Sequence, residues 1–201
     1  MIVRIALATL VLAFAGCAAN APPPEVVLPV APEPEAVPPP RIALVLGGGA
    51  AKGFAHIGVI KALEAHAMTP DIVVGTSAGS VVGALYAAGY NGIDLQRVAL
   101  DMDESTVSDW VPPNRGFIKG ESLQNFINNA VQNRPIEKLN RMLAVVATDL
   151  QSGEPIVFRR GDTGIAVRAS SSVPGIFQPV KINGHEYVDG YSWSWSTSST
   201  S

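Results

Sequence analysis

The chemistry-bearing residues come first. Gly75-Thr76-Ser77-Ala78-Gly79 is a G-x-S-x-G pattern. Such a pattern seats a serine on a sharp turn between a strand and a helix, with its Oγ exposed and the helix N-terminus behind it to favour a developing anion. The flanks fit that setting. Asp71–Gly75 is a short apolar run that reads as a strand, and Ser80–Ala88 reads as a helix that ends at Gly89. Gly- and Ser-rich chains produce the bare pattern by chance, so its weight lies in this context. Upstream, the apolar run Arg41–Leu46 reads as a buried strand. Gly47-Gly48-Gly49-Ala50-Ala51-Lys52-Gly53 follows it, and Phe54–His66 then has helical apolar spacing. A glycine loop between strand and helix presents backbone N–H groups to negative charge. Neither nucleotide motif fits it. A dinucleotide fingerprint needs glycine where Lys52 stands, and a P-loop needs Gly-Lys-Ser/Thr where the order is Lys52-Gly53-Phe54. The remaining use is an oxyanion hole, donors aimed at the charge of an acyl-transfer transition state.

A serine nucleophile needs a base. His56 opens the first helix and His66 ends it, positions where histidine commonly serves as a cap. His185 follows Asn183-Gly184, the signature of a type I′ hairpin. The chain order Ser77, then Asp149 or Asp162, then His185 suits a triad of the α/β-hydrolase kind. The hairpin, however, places His185 at the turn end of its strand. Asp189, in Val188-Asp189-Gly190, reads as lying just past the far end of that strand, with Gly190 free to take an unusual backbone angle. That is the better-placed base. Aspartate has a reference pKa of about 3.9, and partial desolvation beside Tyr187 and Val188 would raise it toward useful values.

The glycine loop 47–53, Gly75–Gly79 and Asp189-Gly190, in that order, resemble the patatin-like phospholipase family. Ala147-Thr148-Asp149-Leu150 and Ala169–Phe177 resemble its intervening segments. The resemblance covers residues 41–190. It implies a three-layer α/β/α fold with a mainly parallel central sheet, and a Ser–Asp dyad with Ser77 as nucleophile and Asp189 as base. Gly47, Gly48 and Gly49 would form the oxyanion hole, with Lys52 at the family's basic position beside it, and Gly75 and Gly79 would shape the elbow. The implied activity is hydrolysis of lipid acyl esters, phospholipase A- or lysophospholipase-like, with no metal or other cofactor. The family pattern continues past Asp-Gly with a small residue and further elements. Here Tyr191–Ser201 is low-complexity sequence, so a C-terminally shortened domain is expected, with an inactive or merely lipid-binding lipoprotein as the competing reading.

The elements that position these residues occupy only part of the chain. Among 201 residues, 47% are hydrophobic and 15% charged, which excludes wholesale disorder. The formal charge of −3 carries no basic cluster of the kind nucleic-acid binders show. One cysteine excludes an intramolecular disulfide. Residues 1–16, with Arg4 before the apolar run Ile5–Phe14, read as a signal peptide. Cys17 follows in Phe14-Ala15-Gly16-Cys17, which resembles a bacterial lipobox and implies lipidation. That makes residues 17–40 a lipidated cysteine and proline-rich linker, 41–190 the catalytic domain and 191–201 a tail. A lipid-anchored protein of the bacterial envelope, at the outer membrane and facing the periplasm, is the expected setting. Scaffold elements are expected at Glu121–Val131 (helix), Met142–Thr148 and Pro155–Arg159 (strands). Asp103–Phe117, with Trp110, is a candidate lid or lipid-contact loop.

Overall fold

Alternating short apolar runs and helical stretches fold here as one mixed α/β sheet with helices packed on it. The computed structural model describes residues 41–192 except 104, 106, 107, 113 and 114. The expected signal segment, Cys17, the proline-rich linker and residues 193–201 of the tail lie outside the described residues.

Strand β1 is Ala43–Leu46, and a 3₁₀ turn at Ala50–Gly53 leads into helix α1, Phe54–Ala65. Strand β2 is Ile72–Thr76, followed by α2, Ala78–Ala87, and α3, Gly92–Asp101. Helix α4 is Glu121–Ala130 and strand β3 is Met142–Asp149. Strand β4 is Pro155–Phe158, helix α5 is Thr163–Ser170, and β5 and β6 are Val180–Ile182 and His185–Asp189. The expected strands and helices at the glycine loop, the elbow, 121–131, 142–148 and 155–159 are all present. Asn183 and Gly184 both have positive φ, 51° and 87°, as a type I′ turn requires. Helices α3 and α5 add to the expected elements, and each has an N-cap. Asn91 accepts from the N–H groups of Ile93 and Asp94, and Asp162 accepts from Ile165. Asp162 is thus a cap, held also by the Asn128 amide, and not a triad acid.

Strands β1, β2 and β3 pair in parallel, as connections through helices demand. Strands β4 and β6 run antiparallel to β3, and β5 runs antiparallel to β6. Of the six strands among the described residues, β1, β2, β3 and β5 therefore point the same way, giving a mostly parallel sheet.

The register on β3 matters for function. β4 overlaps β2 at Val145 and Val146, and overlaps β6 at Ala147 and Thr148. It must occupy the edge of β3 opposite to both. β2 and β6 consequently share the other edge and meet end to end, with Thr76 opposite Val146 and Asp189 opposite Ala147. Gly190 occupies the joint, where a Cβ would come within 2.6 Å of the Val146 carbonyl and 2.7 Å of Thr76. Glycine supplies room here, and its φ is not positive. Asp189 is the last rung of β6 and not a loop residue beyond it.

A main core fills the helical side of the sheet, with a smaller cluster of Ala147, Ala169 and Val180. In the main core, Leu46, Val73, Leu143 and Val145 from the strands pack with Leu85, Tyr86, Ile127 and Val167 from the helices. Gly83 of α2 lies against Val73, Leu46 and Leu143. The residues that alternate with these along the strands, Val45, Met142 and Val157, are exposed at 70%, 48% and 44%. Among the described residues the helices thus cover one face of the sheet.

Candidate active site

The turn after β2 places Ser77 under strain. Its φ of 51° and ψ of −125° lie in a region costly for a non-glycine residue, about 1–3 kcal/mol. The surrounding glycines make the turn possible. A Cβ at Gly75 would meet the Gly79 carbonyl at 2.6 Å, and one at Gly79 would meet the Leu46 carbonyl at 2.1 Å. Helix α2 begins at the residue after Ser77, with its N-terminus aimed toward the serine. A buried brace holds the corner. Ser77 N–H donates to Ser170 Oγ at 2.9 Å, Ser170 Oγ–H donates to the Val146 carbonyl, and the Gly190 N–H reaches the Ser170 carbonyl. Asp189 N–H donates to the Ser172 carbonyl at 2.9 Å. The end of α5 thereby ties Ser77 and Asp189 to each other. Sequence reasoning singled out neither Ser170 nor His56. Burial among strand ends is not a pattern that a lone serine reveals, and His56 reads as a helix cap until its partner is seen to be the glycine loop.

Asp189 is 3% exposed. Burial raises its pKa above the usual carboxylate value, while the Ser77 hydroxyl and the Tyr191 N–H favour its charge and offset part of the rise. Tyr191 N–H donates to Oδ1 at 2.8 Å, and Oδ2 is buried without a formed hydrogen bond. A carboxylate raised in pKa, with one oxygen uncommitted and a serine hydroxyl as neighbour, is equipped to accept a proton.

The glycine loop borders the same space. A Cβ at Gly48 would stand 3.2 Å from Ser77 Cβ. Ser77's own N–H is committed to Ser170, whereas no hydrogen bond among the described residues uses the N–H of Gly48 or Gly49. A cavity of about 840 Å³ is lined by Gly48, Gly49, Lys52, Ser77, Asp189 and Tyr191, with neighbours. The Tyr191 ring lies over the loop, where a Gly48 Cβ would strike it at 2.7 Å. A second cavity of about 330 Å³ shares Ser77, Ala50 and Val173 with the first and runs between α1, α2 and α3. Apart from Ser77 and Ser171, every residue lining it is apolar or glycine. A third, polar cleft of about 590 Å³ around Arg115, Arg168 and Lys181 shares no residue with either.

The other histidines have other work. His66 Nδ1 bonds the Ala62 carbonyl at 2.8 Å and caps α1. His185 Nδ1 and Asp149 Oδ2 pair at 2.8 Å, so that half of the alternative triad exists. The pair sits at the wrong end of β6. His185 is four residues from Asp189, about 13 Å along a strand, and it does not line the Ser77 cavity. Asp149 is held below its usual pKa first by the Ser152 N–H, and also by His185 and the Gln151 N–H. Within the candidate lid, Asp109 caps α4 through the N–H groups of Gly120, Glu121 and Ser122. Among the described residues no group of three His, Cys, Asp or Glu is arranged to hold a metal ion.

The family model described as patatin-like phospholipase matches residues 44–192. The chain belongs to the patatin-like phospholipase family. An uncharacterized NTE family protein of Mycobacterium tuberculosis is 35% identical to this patatin-like chain over 154 residues, 75% of this chain and 42% of the relative. The mouse patatin-like phospholipase domain-containing protein 6 is 36% identical over 157 residues, 74% of this chain and 12% of the relative. The chain thus spans less than half the length of these relatives. Among solved structures, VipD from Legionella pneumophila matches with a TM-score of 0.51 at 17% identity, over 76% of this chain and 46% of that one, a likeness of fold.

Proposed function

We propose that this patatin-like protein hydrolyses lipid acyl esters, with Ser77 as nucleophile, Asp189 as its base and the Gly47–Gly49 loop as oxyanion hole. The carrying observation is the end-to-end meeting of β2 and β6 on β3, which sets a strained serine beside a buried aspartate in one cavity. Asp189 takes the proton as Ser77 Oγ bonds to the ester carbonyl carbon. The loop N–H groups stabilise the oxyanion, usually the largest single contribution. Collapse breaks the bond to the alcohol oxygen, which leaves with the proton from Asp189. Water, deprotonated by Asp189, then adds to the acyl carbon, the bond to Ser77 Oγ breaks, and Asp189 returns the proton to Ser77 as the carboxylic acid is released. The apolar cavity between α1, α2 and α3 suits an acyl chain, and the more polar one beside Lys52 suits the alcohol side. A lipid anchor at Cys17 would keep the domain beside bilayer substrate.

The test is ester hydrolysis by four purified proteins. Ser77→Ala is expected to abolish turnover. Asp189→Asn is expected to lower kcat by roughly 10³-fold or more, on the scale of losing a nucleophile's base. His185→Ala is expected to match wild type. Loss of activity in the His185 variant with a functional Asp189→Asn would favour the triad instead. A well-folded wild type without activity would leave the lipid-binding lipoprotein as the better reading.

A further inference from the structure

We propose that His56 is a positioning residue that aims the Gly48 N–H at the anion developing beside Ser77. The inference rests on the hydrolase reading above and assigns a role to a residue outside the dyad and the glycine loop. His56 is the third residue of α1, half-buried, and its Nε2 lies 2.8 Å from the Gly47 carbonyl oxygen. A carbonyl only accepts, so Nε2 must carry the hydrogen.

The consequence follows from peptide geometry. The Gly47 carbonyl and the Gly48 N–H belong to one planar peptide unit, which is trans. In a trans unit the two groups point in opposite directions. The Gly47 oxygen faces His56 and the elbow, where a Cβ at Gly79 would approach it to 2.6 Å. The Gly48 N–H is therefore turned to the other side, and Gly48 lines the cavity that holds Ser77 and Asp189. A flip of this peptide would exchange a donor for an acceptor and set a carbonyl dipole against the oxyanion. Three consecutive glycines make such a flip easy, since glycine adopts both signs of φ. A tether from a rigid helix removes that freedom before the substrate arrives. Accepting a hydrogen bond at the carbonyl also polarises the peptide and strengthens its N–H as a donor.

The experiment compares full-length His56→Leu and His56→Gln with wild type on a soluble butyrate ester. Circular dichroism and melting temperature serve as fold controls. Deleting an oxyanion donor outright costs about 10²–10³ in kcat, so mis-aiming one is expected to cost roughly 10- to 100-fold, with KM changed by less than about twofold. Glutamine carries an N–H that reaches the carbonyl, and its variant is expected to recover most of the loss. An alkyl boronic acid, whose tetrahedral serine adduct uses the oxyanion site, is expected to bind the Leu variant more weakly by the same factor as the fall in kcat/KM. A non-hydrolysable ether analogue is expected to bind both alike. Should His56→Leu fail to fold, His56→Asn, whose amide is too short for the contact, takes its place. A folded Leu or Asn variant with wild-type kcat, a loss confined to KM, or a Gln variant no better than Leu or Asn overturns the proposal. A wild type that neither turns over ester nor reacts with a fluorophosphonate overturns the hydrolase reading, and this inference with it. An active wild type with indifferent His56 variants overturns this inference alone.

Discussion

As the proposed base, Asp189 carries a conflict between stability and function. Its buried carboxyl has a raised pKa, first because of desolvation. A base must be deprotonated to act, so kcat/KM is expected to rise with pH through that elevated pKa and level off above it. The sign for stability is the reverse. Between the unfolded and native pKa values the native state holds more protons than the unfolded one, so stability falls as pH rises through that window. Above it, the fold carries a buried charge whose Oδ2 lacks a formed hydrogen bond. Asp189→Asn is therefore expected to raise the melting temperature at neutral pH by about 2–4 °C, near 1 kcal/mol for a domain of this size. The gain is expected to vanish at pH values below the window, where the native carboxyl is already protonated. Thermal unfolding of both proteins across pH checks this. A lower melting temperature for the Asn variant at pH 7 would contradict it.

At the scale of elements, the sequence showed the strand–loop–helix units plainly. Gly47–Gly53 and Gly75–Gly79 are punctuation between apolar runs, and Asn183-Gly184 gives its turn type directly. Helix α3 was legible in principle from the Asn91 cap and the helical spacing of Leu95, Val98 and Ala99. Helix α5 was harder, because Thr163-Gly164 weakens its helical signal and its stability comes from packing on the sheet. The abutment of β2 and β6 on one edge of β3 was not legible at all. It brings together the ends of two strands more than 100 residues apart in the chain through their separate pairings with β3, and local pattern carries no such information. The glycines divide in the same way. Gly79 has no space for a Cβ, and Gly79→Ala is expected to destabilise by several kcal/mol or prevent folding, in line with backbone clashes that cannot relax. Gly58, within α1, has nothing within 4 Å of the same position. Gly58→Ala is expected to stabilise by about 0.5–1 kcal/mol, from helix propensity alone. Chemical denaturation of the two variants separates these outcomes.

For the molecule as a whole, the sheet face opposite the helices is the feature that the sequence conceals. Val45 and Met142 lie in apolar runs that read as buried strands and Val157 in a run that reads as a strand, and all three are exposed. Contiguous exposed apolar surface promotes association. Val45→Thr combined with Val157→Thr is expected to reduce self-association in sedimentation and to lower binding of a hydrophobic dye, while the proposed ester hydrolysis is expected to stay as in wild type, since neither residue lines the cavity that holds Ser77 and Asp189. Unchanged sedimentation and dye binding would show that this face has no part in association.

The central claim is that Ser77 is a nucleophile made reactive by Asp189. Covalent labelling with a fluorophosphonate, followed by peptide mass spectrometry, tests it most directly. The expected result is one adduct per chain, located on Ser77, formed far more slowly in Asp189→Asn and at the wild-type rate in His185→Ala. A folded protein left unlabelled, or an adduct on any other residue, would contradict it.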